Sequence, residues 1–562
     1  MSGRNPLRRF VLPFLPVLLG LGGMETGAAF KGSLRIDNAP AEVWDYRVKV
    51  MGVADGGPWA ELSLVGGERP VDFSPRGGFF EVEIPLLPGE NLIKAVGRLA
   101  DGKTVESDPV RFFVPLGPAA HGAELPWVTE DRPSEPAALA VVYGTCVHLQ
   151  SARGLAGVID TLDSLAALGC NAVWLAPTFP TGRGGYGYDV TDYFAVRSSY
   201  GTLEEMRRLT REAHRRGIRV LLDLVPNHTS SQHPYFQDAL DKGEKSHYRD
   251  FYTWESQTEP RHYFNWDYLP NLNYDHPEVR RMMLEVGRFW VGKIGIDGFR
   301  VDVAWGVQER RPGFWREWSA ELRKIYPGLL LIAEASARWP VFFEEGYDAA
   351  YDWDDGFLPA WREVFDLESK AVERLDRALS DSGRGVPRDA LVFRFVDNND
   401  TGPRFHARYG PDKARLACLM LCTLPGIPLI YLGQENGASY QPYAGMEPVT
   451  PGDDTALTDL YRRMLALRKR EPALLSPAWE RLVIDPGQRA FAYLRKAPGA
   501  QDVVVVLNFS RQGGTFTVGL PQTAGTGDLK DAAFGRAGRL EGGRLRVDLD
   551  AYGGAVFILP RG

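Results

Sequence analysis

Cysteine is scarce in this sequence: there are four in 562 residues, Cys146, Cys170, Cys418 and Cys422, and each sits inside an apolar segment. None has a histidine or carboxylate beside it, which argues against a cysteine-built metal site. Cys418 and Cys422 are four apart in "ARLACLMLCTLPG" and share one helix face. An exported chain can pair some of its thiols, but these contexts favour free, buried cysteines acting as small hydrophobes. A basic run is missing as well. With a net charge of −7 and no Lys/Arg cluster, there is no footprint for a nucleic acid. Beyond the N-terminus no apolar run is long enough to span a bilayer, so no stable membrane partner is expected. There is no internal repeat, and no dense Asp-rich loop of the kind that announces calcium.

What is present is a soluble globular mix, 44% hydrophobic and 24% charged, in a length that suggests three or four domains. Aromatics make up 11%, with 14 Trp. They serve either large cores or flat surfaces on which sugar rings stack, since amphipathic rings offer an apolar face and a polar edge. The first 29 residues read as an export signal. Arg4, Arg8 and Arg9 precede the apolar core "FVLPFLPVLLGLGG", and "TGAA" offers small residues for cleavage after Ala29. A periplasmic or extracellular location is therefore expected, with an uncleaved anchor as the alternative.

Residues 30–115 alternate like strands. "GFFEVEIPLL" puts Phe80, Val82 and Ile84 on one face, and "PGEN" and "ADGK" turn the chain. This predicts a small β-sandwich, followed by a Pro-rich linker over 116–136. From 137 to 473 apolar strand-like runs alternate with amphipathic helices. About eight β-α units predict a closed parallel (β/α)8 barrel rather than an open sheet. The connection 228–276 is far longer than a usual βα loop and rich in aromatics, so it reads as an inserted domain or lid. From 474 to 562 the strand pattern returns, which predicts a C-terminal antiparallel β domain.

In such a barrel the chemistry lies at the C-terminal ends of the strands. The third strand ends "LLDLVPNH" with Asp223, Asn227 and His228. The fourth ends "GFRVDVA" with Arg300 and Asp302, and the fifth ends "LIAEAS" with Glu334. The seventh ends "FVDNND" with Asp397, Asn398, Asn399 and Asp400. Arg300 and Asp302 are two apart on a strand and share a face, so the guanidinium is expected to hold Asp302 ionised with a lowered pKa. Glu334 follows "LLLIA", a drier setting that raises a carboxyl's pKa and suits a proton donor. Two carboxyl groups in unlike surroundings are what glycosidic cleavage needs.

"DLVPNH", "GFRVDVA", "IAEAS" and "FVDNND" resemble, in order and spacing, the four short conserved regions of the α-amylase family, glycoside hydrolase family 13. "GYGYDVTDYF", "LPNLNYDHPEVR" and "LPGIPLIYLGQE" resemble further segments of that family, and the resemblance spans about residues 137–560. The N-terminal sandwich resembles the immunoglobulin-like modules attached to such enzymes. The resemblance implies a retaining hydrolase of α-1,4-linked glucans or maltooligosaccharides; a transglycosylase, a cyclomaltodextrinase or neopullulanase-like enzyme, and a non-catalytic glycan-binding member are the alternatives. It implies Asp302 as nucleophile, Glu334 as general acid/base and Asp400 as the third, sugar-binding carboxylate. It further implies that Arg300 positions the nucleophile, that Tyr188 stacks on the reacting sugar, and that His228 contacts it. Asp223 is implied to be structural. No cofactor is implied for the chemistry.

Three departures from the family pattern stand out. Asn399 occupies the place of a usual histidine, which predicts a weaker grip on the reacting sugar or a water in the gap. "NGASYQPYAGMEP" offers no match for the Asp and Arg that many members place after the eighth strand. The family's structural calcium would use Asn227, but the stretch after the nucleophile reads "VAWGVQ", so Asn227 is either a calcium ligand or a brace for its loop.

Overall fold

The computed structural model describes residues 33–39, 41–43, 47–87, 89–114, 125–183, 185–353, 364–366, 370–379, 390–485, 489–521 and 526–560. The proposed export signal lies outside them. The chain divides into two compact units at Pro115/Leu116.

The first unit is a β-sandwich. A three-stranded sheet (Ser33–Ile36, Arg47–Asp55, Phe79–Pro85) and a six-stranded one share a core of Leu34, Val50, Leu64, Phe80, Ile93 and Phe112, among others. The pairing is antiparallel except where Ala41–Glu42 meets Val110–Val114. The alternation read in "GFFEVEIPLL" holds: Phe80 and Ile84 are buried, with the half-buried Val82 packed against the same core.

The second unit holds a closed eight-stranded parallel barrel. Its strands are β1 (Val142–Thr145), β2 (Ala172–Leu175), β3 (Arg219–Leu224), β4 (Gly298–Val301), β5 (Leu330–Ser336), β6 (Ala349–Tyr351), β7 (Leu391–Arg394) and β8 (Ile427–Tyr431). β1 closes the ring by pairing with β8, Val142 opposite Leu429. Nearly every strand residue is buried, because helices cover the outside and side chains fill the inside. Gly298 opens β4 where an added Cβ would meet the Leu330 carbonyl at 1.9 Å, so only glycine lets β4 and β5 come this close at that point. The helix Leu203–His214 is fixed at its start by a capping box. Thr202 Oγ1 accepts from the Glu205 amide at 3.1 Å, and Glu205 accepts from the Thr202 amide at 2.8 Å.

Between β3 and β4 the inserted segment folds on its rings. Tyr235 stacks on Tyr248 with centroids 4.0 Å apart, and Phe236 meets Tyr252 edge-on at 4.8 Å. Bridges such as His228–Asn271 and Tyr252–Leu272 draw its exit back to the barrel. Within the stretch expected as the linker, Arg132 donates to the carbonyls of Val291 and Ile296 at 2.7 and 3.2 Å. The Trp127 ring lies against Gly292 and Val128 against Gly295 in the same stretch. The C-terminal part packs two four-stranded antiparallel sheets around Leu494, Val504, Phe516, Leu545 and Phe557, among others. Its first strand begins at Trp479, after a short helix Pro472–Leu475 that spans the expected boundary at 474. All four cysteines are buried and free. No helix among the described residues is long and apolar enough to cross a membrane.

Candidate active site

Arg300 is the centre of the site. β3 and β4 are in register so that Asp223 lies opposite Arg300, and both point into the barrel. Arg300 Nη1 donates to Asp223 Oδ1 at 2.9 Å and to Asp302 Oδ1 at 2.8 Å. Nη2 is ion-paired with Glu334 Oε1 at 2.8 Å, and Nε donates to the Tyr351 hydroxyl at 2.9 Å. The guanidinium is completely buried, between the rings of Trp174 and Tyr351, at 5.2 and 5.4 Å from their centroids. A planar fork with five donors can serve several carboxylates at once where an ammonium could not.

One cation facing three carboxylates leaves two negative charges in surplus if all three ionise. Burial therefore dominates. It pushes Asp223 and Asp302 up to about 7, against the pull of Arg300. This corrects the expectation of a lowered Asp302 pKa. The Arg–Asp pair is there, but desolvation and the neighbouring Asp223 and Asp400 outweigh it. Glu334 is pushed well above the carboxylate range, first by burial and then by Asp302 and Asp400.

Glu334 is also held by a strained residue. Val303 has φ +45° and ψ +40°, a left-handed conformation that a β-branched side chain adopts only under constraint. In that conformation its amide donates to Glu334 Oε2 at 2.6 Å. The residue after the expected nucleophile thus aims the expected acid.

The seventh-strand cluster divides its work. Asp397 accepts from the Phe405 amide at 3.0 and 3.1 Å, and Asn398 Oδ1 accepts from the Asp400 amide at 2.9 Å. Both shape the turn. Buried Arg404 holds it from below, donating to the carbonyls of Asn398 and Gly402 at 3.0 and 2.8 Å. Asp400 opens to solvent at the mouth of the site. Asn399 Nδ2 lies 3.0 Å from Asp400 Oδ2, 3.0 Å from the Tyr188 hydroxyl and 2.8 Å from the Tyr443 hydroxyl. Its Oδ1 is buried without a hydrogen-bond partner. Tyr443 in turn donates to Asp400 Oδ1 at 3.0 Å. The space beside Asn399, where a water was one of the two expectations, holds the Tyr443 hydroxyl. Tyr443 lies in the stretch after β8 that matches no motif, so only the folded loop reveals it.

Tyr188 also donates to Asp223 Oδ2 at 3.1 Å. His228 is buried and stacked on Tyr263, centroids 5.0 Å apart. Burial pulls its pKa down to about 3, so it is neutral. Its Nε2 lies 3.1 Å from the Tyr188 carbonyl and must carry the proton, leaving Nδ1 to accept from Asn227 Nδ2 at 3.0 Å. Both ring nitrogens are engaged by protein, which ties His228 to the Tyr188 backbone and to Asn227. Asn227 is fully buried. Its Oδ1 and its carbonyl both accept from Arg310 Nη2, at 2.7 and 3.1 Å. Those bonds match the brace, not the calcium ligand, of its two readings. Arg310 ends the helix α1 (Ala304–Arg310), where "QERR" looks in sequence like an ordinary charged helix end.

Residues 148–481 match the family model described as alpha amylase, catalytic domain. An alpha-amylase, MalA, of Haloarcula japonica is 34% identical over 390 residues, covering 68% of this chain and 56% of the relative. A cyclomaltodextrinase of a Bacillus species is 32% identical over 378 residues, covering 64% and 66%. The chain thus spans between half and two thirds of the length of these relatives. A solved cyclomaltodextrinase structure has the same fold, with TM-score 0.66 at 22% identity, covering 92% of this chain and 97% of that one. With more than half its length in that match and its barrel carboxylates gathered on one arginine, the chain belongs to the alpha-amylase family.

Proposed function

We propose that this chain is a retaining α-glycosidase that hydrolyses α-1,4-glucosidic bonds in starch-like glucans or maltooligosaccharides. The observation that carries this is the seating of Asp302 and Glu334 on adjacent nitrogens of one guanidinium. That arrangement favours the short carboxyl separation of a covalent, retaining mechanism over the wider one that admits a water. Glu334, whose pKa is raised by burial and by the neighbouring carboxylates, gives its proton to the glycosidic oxygen as Asp302 attacks the anomeric carbon. The carbon–oxygen bond breaks, the leaving sugar departs as an alcohol, and a glycosyl ester forms on Asp302. Glu334, now a carboxylate, takes a proton from water. The water oxygen attacks the same carbon, releasing Asp302 and a sugar with its α configuration kept. The surplus negative charge around Arg300 favours the cationic character of both transition states.

A second reading, cleavage of cyclic maltodextrins or pullulan, is supported by the resemblance to the Bacillus cyclomaltodextrinase and to a neopullulanase of Thermoactinomyces vulgaris. Transfer to a second sugar uses the same ester. Incubation with maltoheptaose, starch, pullulan, cyclodextrin, sucrose and trehalose separates these readings. Shorter α-products from maltoheptaose or starch are expected. Products longer than the substrate indicate transfer, and no product from any of them overturns the hydrolase reading. We also propose export after cleavage behind Ala29, on the basis of the Arg4–Arg9 charges and the apolar run that follows. The N-terminal residue of the secreted chain would then be Phe30.

A further inference from the structure

We infer that Arg310 takes the place of a structural calcium ion in this chain and acts as a positioning residue for the site, which makes folding and activity independent of calcium. The inference rests on the family reading for where calcium would sit, and on this chain's own residues for what sits there.

A calcium ion needs six to eight oxygens, several of them carboxylates. The surroundings of Asn227 do not fit one. Both of its oxygens face the Arg310 guanidinium. The nearby Asn271 Oδ1 accepts from Asn227 Nδ2 at 3.2 Å and is committed. Among the described residues no group of three or more His, Cys, Asp or Glu could hold a metal ion. The guanidinium meanwhile has the connections a bridging cation would have. Asn227 precedes His228 at the end of β3. Its carbonyl also accepts from the Leu272 amide at 3.1 Å, where the inserted segment returns. Arg310 arrives from the helix that begins two residues after Asp302. Arg310 Nη2 therefore ties the nucleophile's helix to Asn227, and the Asn227 carbonyl holds the exit of the insert at the same point. Gly306 permits the approach, since an added Cβ would meet Asn227 Oδ1 at 2.6 Å.

The test compares the wild-type chain with Arg310→Met and Arg310→Lys, by thermal melting and by oligosaccharide kinetics, in excess EDTA and in added calcium. The wild type should melt and turn over identically in both, and calorimetric titration with calcium should show no stoichiometric binding. Arg310→Met should melt about 5 °C lower and lose about tenfold in kcat with a smaller change in KM. Arg310→Lys should recover at least half of each loss. A wild-type melting point that falls in EDTA and returns with calcium would overturn the inference, as would an Arg310→Met chain indistinguishable from wild type. If Arg310→Met does not fold, the wild-type titration and melting arms still decide. Melting needs no substrate, so this outcome is independent of whether a glucan substrate is found.

Discussion

The Tyr443 hydroxyl bonds two residues of the seventh-strand turn at once, donating to Asp400 Oδ1 at 3.0 Å and accepting from Asn399 Nδ2 at 2.8 Å. It comes from the loop after the neighbouring strand β8, with its ring edge-on to Tyr186 at 4.8 Å and 40% exposed. Where the family pattern has a histidine, this chain has a short amide completed by a phenol. Removing the hydroxyl by Tyr443→Phe takes a donor from Asp400, which raises the pKa of that carboxyl. We expect kcat/KM for maltooligosaccharides to fall about tenfold and the acid limb of its pH profile to move upward. An unchanged profile would show that the hydroxyl plays no part in the reaction.

Restoring the histidine is not expected to restore a family-like site by itself. An imidazole at position 399 is bulkier than the amide and must displace the hydroxyl now 2.8 Å away. Asn399→His alone should lower activity, whereas Asn399→His combined with Tyr443→Ala should exceed the product of the two single effects. The coupling in the double-mutant cycle, expected at about 1 kcal/mol or more for residues in contact, is the quantity to measure. Additive effects would show that the two positions do not share one space.

Asp302→Asn should abolish turnover, by about a thousandfold or more, and should also change stability in a pH-dependent way. The carboxyl's pKa is about 7 folded against 3.8 for the free group, so the folded state holds its proton more tightly. That stability is present at low pH and is lost as pH rises through about 7. The amide variant escapes the loss. Its melting point relative to wild type should therefore be higher at pH 8 than at pH 5, by at least about 2 °C. Equal differences at the two pH values would show that folding does not raise the Asp302 pKa.

Val303→Gly separates stability from activity. Glycine adopts φ +45° without the clash that a branched side chain suffers, so relief of strain offsets the lost side-chain contacts. The freer backbone aims its amide less firmly at Glu334 Oε2. Melting within a few degrees of wild type with kcat reduced about tenfold is expected. Full activity would show that Glu334 needs no such guide.

Much of this was legible in the chain. The eight apolar runs and the carboxylates ending the fourth, fifth and seventh announce a barrel and its working end, because parallel strands buried on both faces leave no other reason for charge there. The convergence of Asp302 and Glu334 on Arg300 follows from register. The sign of the Asp302 shift was not legible: two residues on a strand reveal a pair but not the desolvation, nor the Asp223 brought beside it from β3. Tyr443 and Arg310 were missed for a related reason. Each acts through a contact between loops or helix ends, where no periodicity constrains the sequence, and each reaches a partner far away in the chain. Asn398 was recognised as the expected amide, but its work proves to be a turn that presents the Asp400 amide.

The bond between Arg300 and Asp223 joins neighbouring strands whose residues are 77 positions apart, with the whole aromatic insert between them. Bringing two such groups together requires closing a long loop before any contact rewards it. The insert shortens that search only once its rings have collapsed and its exit bridges have formed. Refolding should therefore show a slow phase set by the insert, and Arg300 should be among the last groups to be shielded from solvent.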